Sequence, residues 1–256
     1  MFKISISPEE IDALPLGSFP GEIIVIDKPG LEYEKAIFYL RRQKVLGFDT
    51  ESRPVFSPGQ HSNGVALLQL SGARKAYLFR VQTLGVRRSL CNILSNPGIL
   101  KIGAASMDDV HGLQRLHGFK AEGFVDLQKI AWEWGIRDKS VKKLAANILG
   151  CRISKAQQLS NWEAPVLSEA QCKYAATDAW VCREMYLRLL LEEKHPLSPE
   201  EQLSPQDRLA REQAAARKEA NAAEAKKASA SQRRRKRRKK KKTGQNDQTD
   251  TEKGQG

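Results

Sequence analysis

Over the first half of the chain, short apolar runs alternate with amphipathic stretches. From residue 128 the pattern turns almost wholly helical. Glu22–Asp27 (EIIVID) reads as a short strand. Leu31–Gln43 follows the Pro29-Gly30 breaker and reads as an amphipathic helix. Lys44–Glu51 (KVLGFDTE) is an apolar run ending in acid, the pattern of a buried strand whose end carries polar residues. Ser52–Gly64, with Pro54, Pro58, Gly59 and Gly64, reads as a loop. Val65–Ser71 and Lys75–Val81 predict two strands joined at Ser71-Gly72, a hairpin signal. Val86–Leu94 predicts a short helix closed by Asn96-Pro97-Gly98. Ile99–Ala104 is the next strand, Met107–His117 a helix, and Gly123–Leu127 a brief strand. Helices follow at Gln128–Trp134, Ser140–Leu149 and Ser168–Glu193, the last with Ser168 as N-cap and Glu169 in its first turn.

Strands interleaved with helices, then helices alone, predict an α/β layered domain over 22–195. Residues 1–21, with Pro15 and Pro20, read as an irregular lead, and Pro196 and Pro199 mark the domain's end. The remaining segment, 196–256, is a charged tail. Residues 200–230 are rich in Ala, Glu, Lys, Gln and Arg, which suits a solvated helix but cannot bury a core. Arg233–Lys242 is ten consecutive basic residues, a block that repels itself and stays extended without a polyanion. The Gln/Thr/Gly/Asp remainder reads as disordered.

Charge sharpens this picture. The 256 residues carry a net +13, and residues 199–256 hold 17 Lys and Arg against 9 Asp and Glu, so the tail supplies most of the excess. A basic balance favours a polyanionic partner, usually nucleic acid. The tail 233–242 is expected to bind phosphate backbone without sequence preference and with strong salt dependence. Cys91, Cys151, Cys172 and Cys182 form no CxxC pair and are too few for a disulfide framework, so a zinc site and a stapled fold are both disfavoured. The first residues lack the uninterrupted apolar core of a signal peptide, and no segment approaches the ~18 apolar residues of a membrane span. The expected location is cytoplasmic, with no membrane partner.

Three acidic constellations supply the candidate chemistry. Asp49 and Glu51 are two apart on a predicted strand, so both point to one face. Two carboxylates there repel unless a cation lies between them, and Mg²⁺ or Mn²⁺ takes oxygen ligands. Asp109 stands at the start of a helix whose apolar stripe includes Leu113 and Leu116, where the helix dipole favours an acid by about 0.3–1 kcal/mol. Asp108 competes with it for that role. Tyr174 and Asp178 are four apart in a well-capped helix and share one face, with Ala175, Ala176 and Ala179 leaving a smooth surface for close approach to a sheet. The acids converge where open α/β sheets place their sites.

VLGFDTE, KIGAASMDDVHGLQRL and YAATDAWVCREMY resemble the three exonuclease motifs of the DEDD superfamily in its tyrosine-containing form. This is the group of ribonuclease D, the proofreading domains of DNA polymerases and the Werner-syndrome exonuclease domain. KSVKKLAANILGCRISKAQQLSNWE is similar to its connecting helices, and the second motif departs in having Ala105 where many members have a polar residue, often Asn. The resemblance implies a ribonuclease H-like fold: a mixed, mostly parallel five- or six-stranded sheet flanked by helices. It implies a 3′-5′ exonuclease that releases nucleoside 5′-monophosphates from single-stranded or 3′-ended DNA or RNA with two divalent metal ions, Mg²⁺ or Mn²⁺. Asp49, Glu51 and Asp178 would ligate the first metal, with Asp49 bridging to a second held by Asp109 through water. Tyr174 would orient the attacking water. Two such ions, about 3.5–4 Å apart, stabilise both attacking and leaving oxygens, so no histidine base is required.

Around this centre, Arg53 is placed to reach a phosphate and Phe56 to stack on a base, and Lys155 lies before the third motif. Trp162, Trp132 and Trp134 read as core anchors, and His111 as a group near Asp109. The alternative reading is a non-catalytic nucleic-acid- or ribonucleoprotein-binding module that uses the same fold and the basic tail.

Overall fold

The computed structural model describes residues 1–54 and 64–222. Within Met1–Gln202, which forms one compact unit, the apolar runs become six strands. These are β1 (Glu22–Ile26), β2 (Val45–Ser52), β3 (Val65–Ser71), β4 (Lys75–Arg80), β5 (Leu100–Gly103) and β6 (Phe124–Asp126). They lie in the order β1-β4-β3-β2-β5-β6. β1 pairs parallel with β4, as β2 does with β5 and β5 with β6; β3 alone runs antiparallel to its neighbours. The sheet is thus mixed, mostly parallel and six-stranded, a ribonuclease H-like arrangement, and β2 is central in it.

The helices are α1 (Pro8–Asp12), α2 (Leu31–Arg41), α3 (Val81–Leu84), α4 (Arg88–Leu94), α5 (Ser106–Leu116), α6 (Leu127–Ile130), α7 (Val141–Leu149) and α8 (Glu169–Leu189). Two cores follow from strand alternation. Leu46, Phe48, Leu68 and Leu70 pack with Leu40 of α2, Leu90 of α4 and Leu113 of α5 on one face. Leu67 and Leu78 pack with Trp162, Ala175 and Ala176 on the other, beneath α8. β3 is buried along its whole length, which is why it reads as an almost continuous apolar run.

Three expectations need correction. Residues 1–21 are not irregular throughout: Ser7 and Glu10 form a capping box for α1, and Pro8 sits in its first turn, where a missing N–H costs nothing. This lead is packed into the unit, with Ile6, Ile11 and Phe19 buried and the Asp138 carboxylate accepting from Ser5 Oγ (2.8 Å) and Ile6 N (2.9 Å). At the other end the compact unit runs to Gln202, past 195, because Leu197 is buried and its N–H donates to the Trp132 carbonyl (3.0 Å). The helix expected over 128–134 is split into α6 and a 3-10 turn over Ala131–Trp134 that stops at Gly135.

In the second unit, residues 205–222 are helical and almost entirely solvated. The basic run Arg233–Lys242 and Phe56 lie outside the described residues. Among the described residues, no helix is long and apolar enough to cross a membrane. All four cysteines are free thiols; Cys91 and Cys182 are buried and the other two half-buried.

Candidate active site

The site forms where α8 lies directly on β2. Ser168 caps α8 by accepting from Gln171 N (3.2 Å), while Gln171 Oε1 accepts from Ser168 N (3.0 Å). One turn on, Ala175, Ala176 and Ala179 are fully buried against the sheet. The opposing strand residue is Gly47: a Cβ added there would lie 1.7 Å from the Ala179 carbonyl oxygen. Only a glycine under a row of alanines lets the helix come this close. That approach brings Asp178 beside Asp49 and Glu51, whose side chains share the α8 face of β2. One oxygen from each of the three carboxylates lies within 4.8 Å of the others.

These acids are half-buried. Among the described residues, no lysine or arginine forms an ion pair with Asp49, Glu51, Asp109 or Asp178. Burial, reinforced by the neighbouring charges of Asp178, Glu51 and Asp109, pushes Asp49 well above the carboxylate range. Burial, then Asp178 and Asp109, pushes Glu51 up to about 8. Burial raises Asp178 to about 7, offset in part by hydrogen bonding to Tyr174. Like charges in a desolvated site cannot all ionise unless something positive joins them. The triplet is made of carboxylate oxygens alone, which suits a hard divalent cation. The residues present therefore fit the metal ions that the motifs imply.

Asp109 reaches the site from the other side of the strand. Thr50 points to the opposite face from Asp49 and Glu51, and its hydroxyl donates to Asp109 Oδ1 at 2.5 Å. Burial lifts Asp109 to about 6 despite that bond. It stands outside the close triplet, yet its charge acts on both Asp49 and Glu51. Asp108 is exposed, whereas Asp109 is half-buried and bonded to Thr50. Ala105, just before α5, is left-handed (φ 56°), and its N–H donates to Asp126 Oδ1 (3.0 Å).

Tyr174 borders a cleft of about 240 Å³ beside Asp178, walled by Leu16 and Gly17 of the N-terminal lead, by Ala156, and by Lys173. The lead is held there by a bridge between Leu16 and Arg152 and by Phe19 N donating to Thr177 Oγ1 (3.0 Å). Burial and the nearby Asp178 charge push the Tyr174 phenol above its ordinary pKa.

The outlying residues divide. Arg53 is paired with Glu163 (3.3 Å) rather than left open to a phosphate. Lys155 is exposed, between the cleft residues Ser154 and Ala156, and does not line the cleft. Trp162 is 1% exposed, with its ring 6.0 Å from that of Tyr174, as a core anchor should be. Trp134 is buried and Trp132 half-buried; His111 is exposed. Sequence reasoning missed Thr50, because strand alternation turns it away from the two acids, and Asp126, which joins Ala105 to the start of α6 by also accepting from Gln128 N (3.0 Å).

A family model for the 3′-5′ exonuclease domain matches residues 28–193, which contain all five motif residues. The chain belongs to this family. Over 192 residues it is 33% identical to the mouse bifunctional 3′-5′ exonuclease/ATP-dependent helicase WRN, a match covering 70% of this chain and 13% of that protein. Over 155 residues it is 31% identical to ribonuclease D of Gluconacetobacter diazotrophicus, covering 60% of this chain and 38% of the relative. The chain therefore spans well under half the length of these curated relatives. Among solved structures, Escherichia coli RNase D, an exoribonuclease involved in structured RNA processing, shares the fold with a TM-score of 0.59 at 22% identity. That match covers 67% of this chain and 44% of the other.

Proposed function

We propose that this exonuclease-family chain is catalytically active: a metal-dependent 3′-5′ exonuclease that removes nucleoside 5′-monophosphates from the 3′ ends of single-stranded nucleic acid. The observation that carries the proposal is the half-buried Asp49-Glu51-Asp178 triplet, three acids held together with no lysine or arginine paired to them among the described residues. Asp49, Glu51 and Asp178 would hold one divalent ion, and Asp109, oriented by Thr50, would help to hold a second. Divalent ions bound there supply positive charge to the attacking water and to the departing 3′-oxygen. Mg²⁺ and Mn²⁺ are the ions whose ligand preference matches this donor set.

The raised pKa of Tyr174 keeps its phenol protonated at neutral pH, so it can orient a water by hydrogen bonding but does not act as a base. The cleft beside Tyr174 would receive the end of a substrate strand, and Lys173 on its wall and Lys155 nearby offer charge to phosphates. Substitution of Arg53 tests whether it exchanges Glu163 for a phosphate when substrate arrives. RNA is the first polymer to try, since both ribonuclease D relatives are named for it.

The test is direct. 5′-Labelled single-stranded RNA and DNA are incubated with Mg²⁺ or Mn²⁺, alongside Asp49→Ala and Asp178→Ala. A ladder shortening from the 3′ end, lost in both variants, is expected. No ladder with either metal, or equal ladders in wild type and variants, would overturn the proposal.

A further inference from the structure

A fully buried polar side chain stands against the acidic triplet. β3 runs antiparallel beside β2, and Gln69 is directly opposite Asp49, as Leu67 is opposite Glu51. Residues directly opposite in an antiparallel pair project to the same face, with Cβ atoms about 4.5–5.5 Å apart. That face is the one covered by α8, since Leu67 packs with Ala175 and Ala176. Gln69 is completely buried, and neither its Oε1 nor its Nε2 has a hydrogen-bond partner. It is the one side chain among the described residues with two such atoms.

Core packing does not account for this residue. Its neighbours Leu67, Leu68 and Leu70 fill the strand with aliphatic side chains, and a leucine or methionine at 69 would bury as much volume without stranding an amide. A side chain this costly is explained when the missing partner arrives with function. Of the two residues paired across from Gln69, Asp49 and Leu78, only Asp49 carries a side chain able to accept from an amide, and a glutamine's reach exceeds the strand-to-strand gap. A carboxylate that holds a metal ion keeps lone pairs free, and a donor behind it fixes its orientation.

We infer that Gln69 is a positioning residue for the metal cage: its Nε2–H donates to the Asp49 carboxylate when a divalent ion is held. The inference rests on the metal-dependent reading above and extends it to a residue outside the three motifs. It predicts that Gln69 contributes to ion affinity and to turnover, and little to folding of the metal-free chain.

The experiment measures Mn²⁺ binding to the full chain by titration calorimetry and by electron paramagnetic resonance, for wild type, Gln69→Leu and Gln69→Met. Thermal unfolding is followed with EDTA and with Mn²⁺. Both variants should unfold in EDTA at or above the wild-type temperature, because the stranded amide is gone. Both should bind Mn²⁺ about 10–100-fold more weakly, the range for lost support behind a ligand. At saturating Mn²⁺, kcat should fall while KM for the oligonucleotide holds. Wild-type Mn²⁺ affinity in both variants overturns the inference and leaves the exonuclease reading intact. Failure of both variants to fold in EDTA also overturns it, by showing that the amide supports the core. Failure of the wild-type chain to bind Mn²⁺ overturns the inference and the reading beneath it together.

Discussion

Gly47→Ala is the sharpest test of how the site is assembled. The added methyl carbon would lie 1.7 Å from the Ala179 carbonyl oxygen and 2.5 Å from its carbon, whereas ordinary contact begins near 3.4 Å. Both obstructing atoms are helix backbone, so no rotamer change relieves the clash, and α8 must retreat by roughly 1.5 Å or β2 must buckle. Overpacking of this kind costs about 1–3 kcal/mol, which for a unit of this size lowers Tm by about 2–4 °C per kcal/mol. The catalytic cost is larger. Asp178 is the residue before Ala179, so the retreat carries it from Asp49 and Glu51, and a misplacement of about 1 Å costs on the order of 10²-fold. Gly47→Ala should therefore remain folded by circular dichroism, melt several degrees lower, bind Mn²⁺ weakly and cut at under about 1% of the wild-type rate. A variant with wild-type melting and wild-type turnover would refute the claim that close approach at Gly47 sets the cage.

Metal removal should leave a particular pH signature. Glu51 at about 8, Asp178 at about 7 and Asp109 at about 6 all stand above their unfolded values near 4, so the metal-free fold binds more protons than the unfolded chain across that window. Stability is then lost as pH rises from 4 to 8. In EDTA, wild type should lose more Tm between pH 5 and pH 8 than Asp178→Asn does, and Mg²⁺ or Mn²⁺ should remove the difference; equal slopes without metal would contradict the burial argument. Ala105→Gly should raise stability by about 1 kcal/mol in urea unfolding, because a left-handed alanine is strained and glycine is not; a destabilised variant would show that the turn needs its methyl group. Deleting Arg233–Lys242 should flatten the dependence of nucleic-acid affinity on salt while leaving kcat in place. An unchanged salt slope would rule out the tail as a phosphate contact, and a full chain without turnover whose nucleic-acid binding vanishes with the tail would favour the binding-module alternative.

What the sequence disclosed, it disclosed through periodicity. Asp49 with Glu51, and Tyr174 with Asp178, could be aimed because strands repeat every two residues and helices about every four, and the alanines of α8 announced a close contact. The single glycine that receives them was legible only as part of an apolar run. Asp108 and Asp109 both fit a helix's first turn; Thr50 bonds to Asp109, from a face that alternation assigns to the core. Gln69 in VALLQLS reads as a polar position between apolar ones, which suits a solvent-facing residue until a helix is known to cover it. Arg53 meets Glu163 across 110 positions of chain, and no local pattern carries that information. The lead failed differently: Ile6 and Ile11 are too sparse to show a period, although the capping box at Ser7 and Glu10 was there to be read.

The placement of α8 has a consequence for synthesis. The strand bearing Asp49 and Glu51 leaves the ribosome early, but the helix that supplies Tyr174 and Asp178 is the last element of the sheet-bearing unit to emerge. A nascent chain that ends before Asp178 carries two acids of the triplet and lacks the third, so it has no complete cage for a cation. Until that helix forms, the face of the sheet it covers is also bare, so one late segment of chain both seals the core and completes the triplet.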